Sequence, residues 1–491
     1  MGIIGRQTIK STIYIYLGVV IGFFIRAHFF PNFLTTAQIG ILALLVSYGS
    51  IFARVALLGF NHATIRYFPY FRNKEEGHAG FLSIYLMVIT VGFLVFLVIY
   101  QITGTFWVEN GKSELFSQYY FLCIPLTIGL LIYTVMDNYN TVLYNASTGV
   151  LIREFGLRIL TLLSLVPLIY GLIGFNTFIK LYVGTFFIIA LLMTGFIIWR
   201  GEFHLNFRFK KIDKSMLSGM TGISIFGLFT GLTTEVVLQI NNILVNQYYD
   251  ESQTGIYVTN FFFATLILIP SRGLNKIAPT MISDAFKIGD IKGINRIQFK
   301  STINQLLIGV LIFIGLCINL DNIYYILPES FAIGSWVIIL TGMANVIQMS
   351  AGVSSAIIGF SDYYRYNTFL SILQLVILIA VNLVLLPHFG ITGAAVATLV
   401  ASFVINYIKY LITKKKFGIQ PYGKKHLLVL GIALLCLGFN QLIPVMEYYI
   451  FDIAVRSILI SVVFVSINYF LKTSLQLNDN LNKALRMLRI R

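Results

Sequence analysis

The chain has 491 residues, 57% hydrophobic and only 11% charged, with a formal net charge of +16. So few charges cannot cover a soluble globule of this size. Three cysteines, Cys123, Cys317 and Cys436, lie in apolar runs without pairing or ligand spacing, so they read as packing residues and no metal centre is expected.

Apolar runs recur along the whole length, each near the roughly 20 residues a helix needs to cross about 30 Å of hydrocarbon. They predict an all-α polytopic membrane protein, and the lack of alternating strand patterns argues against a barrel. At the start, Arg6 and Lys10 lead straight into a span without a small-residue cleavage site, so the first helix is expected to be retained. Spans are predicted near 9–30, 39–60, 79–100, 116–135, 154–174 and 177–199, then 215–245, 255–275, 300–320, 333–355, 366–386, 392–412, 427–445 and 450–471. That makes fourteen.

The first hairpin carries Arg26 and Arg54 inside apolar stretches, with His28 beside the first. An arginine at the bilayer centre costs about 3 kcal/mol or more, so it usually faces a bundle interior or a watery cavity. Two readings stand: both line a cavity for an anionic substrate, or they pair with Glu235 or Asp137 as structural ion pairs. Glu235, in the seventh span, either balances an arginine or couples transport to a proton or sodium ion; no other cofactor is expected. Tyr133, Tyr139, Asn140, Tyr144 and Asn145 offer rings, hydroxyls and amides to a sugar, or belong to the aromatic residues common at membrane interfaces. Gly18 with Gly22, and Gly227 with Gly231, form small-xxx-small pairs suited to close helix packing.

Charge distribution gives the orientation. Of 35 basic residues, only Lys112, Lys180 and Arg456 fall outside and only Arg26 and Arg54 within the hydrocarbon, which leaves 30 on one side if both termini are cytoplasmic. This N-in/C-in topology accounts for the net charge without nucleic acid as a partner. The tail sets Leu481, Leu485 and Leu488 opposite Lys483, Arg486 and Arg489, the pattern of an amphipathic helix at the inner leaflet or of a frayed end.

An internal repeat is visible. TTAQIGI at 35–41 opens the second span and ESQTGIY at 251–257 the eighth, with Gly40 and Gly255 offset by 215 residues; Gly174 and Gly390 are offset by 216, and Arg153 and Arg365 by 212. Six helices per copy return the chain to the same side, so the copies are parallel repeats suited to alternating access. The expected division is a six-helix lobe at 1–200, a second at 201–413, helices 13 and 14 at 414–471 and a basic tail at 472–491.

GIIGRQTIK at 2–10, RYFPYFR at 66–72, STINQLL at 301–307 and FGITGAAVAT at 389–398 resemble the Wzx-type oligosaccharide flippases of polysaccharide biosynthesis, which share a superfamily (MOP) with MATE-like multidrug extruders and lipid II flippases. The resemblance implies a bacterial cytoplasmic (inner) membrane, a central cavity with helices 13 and 14 beside it, and a cargo of undecaprenyl-pyrophosphate-linked oligosaccharide such as an O-antigen unit. It also implies glycosyltransferases and a polysaccharide polymerase as partners. Lipid II flippases use arginines in their first two spans, which Arg26 and Arg54 match approximately. Their eighth-span arginine has no clear match, since Arg272 lies nearer the cytoplasmic end. The alternative is a MATE-like multidrug or cation antiporter, whose cavity would be expected to carry carboxylates. No catalytic constellation or large extramembrane loop appears, so an enzyme is not expected.

Overall fold

A computed structural model describes residues 3–109, 111, 113–207 and 213–487. Lys112, Arg208, Lys210 and Lys211 of the charge pattern, and Leu488, Arg489 and Arg491 of the tail, lie outside these residues. Everything described is helix or connecting turn, with no strand among the described residues. The chain forms two compact units, Met1–Val258 and Thr259–Arg491.

In the first unit, α1 (Ile3–Phe24) widens at Ile25–Phe29 and ends at Phe33. It is followed by α2 (Thr36–Ala56), α3 (Phe60–Phe71), α4 (Phe81–Thr103), α5 (Cys123–Val142), α6 (Leu157–Ile169), α7 (Phe175–Trp199) and α8 (Lys214–Tyr248). α2 starts with a capping box: Thr35 Oγ1 accepts from the Gln38 amide at 3.2 Å and Gln38 Oε1 accepts from the Thr35 amide at 3.0 Å. α8 is capped by Asp213, which accepts from the Met216 amide at 2.6 Å. Leu58 and Gly59, at φ 47° and 69°, break α2 from α3. A Cβ at Gly59 would collide with the α8 backbone at Ser224 and Leu228, so only glycine fits there. Apolar association is not driven by water inside a bilayer, so such backbone contacts and aromatic packing carry the fold. Tyr100 and Tyr120 stack at 4.6 Å beside Tyr48 and Phe116, and Phe68 meets Phe81 and Tyr139 edge to face.

α9 (Glu251–Thr265) leaves this unit. Its first turn meets the first turn of α2 reciprocally: a Cβ at Gly40 would strike the Glu251 carbonyl, and one at Gly255 would strike the Thr36 carbonyl. Thr36 Oγ1 and Ser252 Oγ are 2.6 Å apart. The contact is reciprocal, each glycine meeting a backbone carbonyl in the other helix's first turn.

The second unit continues with α10 (Ser271–Lys287), α11 (Ile291–Ile318), α12 (Ser335–Ser350), α13 (Arg365–Phe417), α14 (Lys424–Asn440), α15 (Tyr449–Phe470) and α16 (Leu475–Met487). Its core joins Ile303, Leu307, Val310 and Ile314 of α11 to Val429 and Ile432 of α14 and to Ile460 and Phe464 of α15. The tail helix α16 is tied down: Asn304 Nδ2 donates to Gln476 Oε1 and Tyr469 Oη to Asn482 Oδ1, both at 2.6 Å.

Among the described residues ten helices are long and apolar enough to cross a membrane, and Glu251–Leu268 with Ser271–Lys287 makes a further pair bent by 48°. The difference from the predicted fourteen has local causes. The 53-residue α13 is broken at Gly390, whose φ of 60° and ψ of −145° is a glycine-only conformation, and Gly393 folds back against the Leu385 carbonyl. The fifth predicted span is interrupted by a widened turn at Leu151–Gly156, and α14 has only 17 residues. Within the first unit α8 packs on α2 and α3 through Arg54, Ser47 and Gly59.

Candidate functional site

α1 lies against the segment leading into α6. A Cβ at Gly18 would collide with the Glu154 carbonyl, and one at Gly22 would stand 3.2 Å from Arg158 Nε. The first small-xxx-small pair is therefore a packing seam. In the other pair Gly227 abuts His62 and Gly59, while Gly231 faces open space. Where α1 and the α6 leader approach, both widen into π-type turns, at Ile25–Phe29 and Leu151–Gly156. Such turns often mark functional sites, because the extra residue swings neighbouring side chains onto one face.

The result is a cavity of about 220 Å³ lined by Arg26 on one turn, Arg153 and Glu154 on the other, and Arg158 at the start of α6, with Tyr133, Tyr182, Phe30 and Phe186 completing it. Three guanidinium groups and one carboxylate line the cavity, and the Asp137 carboxylate outside the lining interacts with Arg153. Arg158 Nε is buried without a hydrogen-bond partner. Tyr133 Oη donates to the Gly149 carbonyl at 2.7 Å, and the Arg153 guanidinium lies 6.0 Å from the Tyr133 ring centre. Convergent guanidinium forks are suited to phosphate or carboxylate oxygens, which they engage through paired, charge-assisted hydrogen bonds.

Of the residues singled out in the sequence for substrate contact, Arg26 and Tyr133 line this cavity. Arg54 Nε instead donates to Glu235 Oε2 at 3.3 Å. Gln239 Nε2 donates to Glu235 Oε1, Ser47 Oγ to Gln239 Oε1 and Asn242 Nδ2 to Ser47 Oγ, at 3.2, 2.9 and 3.0 Å, so a polar chain links α2 to α8. Tyr139 and Asn140 are wholly buried; Tyr139 Oη donates to the Glu202 carbonyl at 3.2 Å and Asn140 Nδ2 to the Asn145 carbonyl. Their polar groups brace turns, and neither lines the arginine cavity. Arg272 is exposed in the first turn of α10. Arg153 and Arg158, which the cavity adds, read in the sequence only as flanking positive charges.

The Arg54–Glu235 pair predicts a non-additive cycle. Arg54→Ala alone strands a carboxylate that is 14% exposed, whereas Arg54→Ala with Glu235→Ala removes both charges. The double variant is expected to melt closer to wild type in detergent than Arg54→Ala does; equal and additive losses would show that the pair contributes nothing.

A second ionic cluster closes one end of the unit. His78, Ala79 and Gly80 all have positive φ, and this turn presents His78 Nε2 to Glu202 Oε2 at 2.8 Å while Lys74 Nζ reaches Glu202 Oε1 at 3.1 Å. Burial alone would raise the Glu202 pKa, but the hydrogen bonds from His78 and Lys74 outweigh it and hold the carboxyl below its ordinary value of 4.5. A depressed carboxylate stabilises the fold fully above that value and loses its contribution as pH falls through the lower, folded one. The Tm gap between wild type and Glu202→Gln is therefore expected to be largest near neutral pH and to close below pH 4.5; a gap independent of pH would contradict the assignment.

No protein-family model matches the chain, and no curated protein matches it. Solved structures do. A lipid II flippase, MurJ, in an inward closed conformation aligns at a TM-score of 0.74 over 94% of this chain and 99% of its own, at 14% identity. An inward-facing multidrug resistance MATE family transporter of the MOP superfamily aligns at 0.64 over 82% and 98%, at 12% identity. A MOP superfamily transporter from Pyrococcus furiosus, described with a binding pocket of reversed polarity, aligns at 0.53 over 84% and 96%, at 10% identity. At these identities the likeness is one of architecture: the chain has the fold shared by MOP-superfamily flippases and multidrug transporters.

Proposed function

We propose that this protein is a flippase that moves a polyprenyl-pyrophosphate-linked oligosaccharide across the cytoplasmic membrane by alternating access, with Arg26, Arg153 and Arg158 engaging the pyrophosphate or an acidic sugar. The observation that carries this reading is the cationic cavity, where Arg158 keeps a buried, unpartnered donor. A pyrophosphate cannot cross hydrocarbon unaided, and cations held in a protein interior lower that barrier while the lipid tail stays in the bilayer. The lipid II flippase among the structural neighbours supports a lipid-linked cargo. An exporter of organic cations would be disfavoured by three guanidinium groups facing one carboxylate.

In this reading the chain crosses the membrane fourteen times with both termini cytoplasmic. The two parallel copies are 1–200 and 201–413, helices 13 and 14 follow at 414–471, and the basic tail lies on the inner leaflet. The reciprocal contact between Gly40 and Gly255 is an end of the transport path closed in this conformation. Glu235 neutralises Arg54, so a role in proton or sodium coupling would require that pair to open. Glycosyltransferases and a polymerase are the partners that a lipid-linked glycan implies.

The test is reconstitution in liposomes with a short polyprenyl-pyrophosphate-linked glycan in one leaflet and enzymatic oxidation of the exposed sugar as the readout. Protein-dependent exposure of the inner pool supports the proposal. Transport of ethidium with no movement of the lipid-linked sugar overturns it in favour of a MATE-like antiporter.

A further inference from the structure

The second unit holds a cavity of about 430 Å³, within the range of small-ligand sites, and it is lined by Gln305 of α11, Lys409 and Asn406 of α13, Asn367, Asn275 of α10 and Gln348 of α12. No carboxylate lines it. Lys409 lies two turns before the C-terminal end of α13, half-buried, and its ammonium has neither a hydrogen bond nor an ion pair among the described residues. Gln305 is 7% exposed, and its Oε1 is buried without a donor. The same cavity thus holds an unpaired ammonium and, on Gln305, a buried acceptor whose missing donor is costly, amid further carboxamides. It suits a ligand that brings both a negative oxygen and a hydroxyl donor.

We infer that this cavity binds a singly charged phosphodiester bearing free hydroxyls, with a phosphate oxygen on Lys409 and a hydroxyl on Gln305. A single cation matches a diester better than a pyrophosphate, which needs more than one positive group. This separates the site from the triple-arginine cavity, and the inference stands whether or not the cargo proposed above is correct. Two sources carry this chemistry: the headgroup of an anionic glycerophospholipid and a soluble polyol phosphodiester.

Native mass spectrometry of the full chain in detergent tests the assignment with three probes: phosphatidylglycerol, phosphatidylcholine as the lipid without free hydroxyls, and glycerophosphoglycerol as the soluble diester. Binding of phosphatidylglycerol over phosphatidylcholine, with none of the soluble probe, assigns a lipid headgroup; binding of the soluble probe assigns a free ligand. In either case Lys409→Gln is expected to weaken binding about tenfold, as loss of one charge-assisted contact does. Gln305→Leu, which keeps the charge, is expected to weaken it less, and Lys415→Gln, on the exposed end of α13, is expected to leave it unchanged. Binding of neither hydroxylated probe by wild type overturns the inference. So does equal loss in Lys409→Gln and Lys415→Gln, which would mean surface charge alone.

Discussion

Arg158→Ala is expected to lower the flipping rate about 10- to 100-fold, because a hydrogen bond to a charged group contributes about 1.5–3 kcal/mol and each 1.4 kcal/mol is tenfold. Folding should survive the change: Arg158 Nε has no partner to lose, and no ion pair ties the residue down among the described residues. Arg158→Lys is expected to recover only part of the rate, since an ammonium keeps the charge but not the planar fork. The measurement is the initial rate of sugar exposure in proteoliposomes, normalised to inserted protein. A wild-type rate in Arg158→Ala would remove the cavity from the transport path.

Thr36→Cys combined with Ser252→Cys is expected to stop transport almost completely under oxidation and to restore it on reduction. The two hydroxyl oxygens are 2.6 Å apart, and a disulfide needs sulfurs about 2 Å apart, so the cross-link forms with little backbone movement. In the proposed alternating-access cycle the contact at Gly40 and Gly255 opens, and a covalent bond across it prevents that. The native thiols interfere little, since Cys123 and Cys436 are buried and Cys317 is partly so. Transport that continues with the cross-link formed would show that this contact does not open during the cycle.

Much of this architecture is readable in the residues. Thr35 and Gln38 announce the start of α2, and Gly40 and Gly255, which similar short motifs single out, pack against one another. The arginine cavity is only half legible. Arg26 stands out because it interrupts an apolar run, whereas Arg153 and Arg158 lie at a span end, where positive residues are ordinary. Five residues at about 100° each would put their side chains on different faces of an α-helix. The widened turn at Leu151–Gly156 brings both to the cavity, and no residue pattern there forecasts it. Tyr139 and Asn140 sit near a helix end, where Tyr139 Oη donates to the Glu202 carbonyl and Asn140 Nδ2 to the Asn145 carbonyl, a local bonding pattern the sequence does not announce. Lys409 escaped notice because, next to Lys414, Lys415 and Lys416, it reads as one more inside charge.

The most direct measurement is mass spectrometry of the polyprenyl-pyrophosphate fraction from cells depleted of this protein, with leaflet accessibility assayed in parallel. The account predicts accumulation of a complete lipid-linked repeat unit confined to the cytoplasmic leaflet. An unchanged lipid-linked pool, together with raised sensitivity to organic cations, would contradict it.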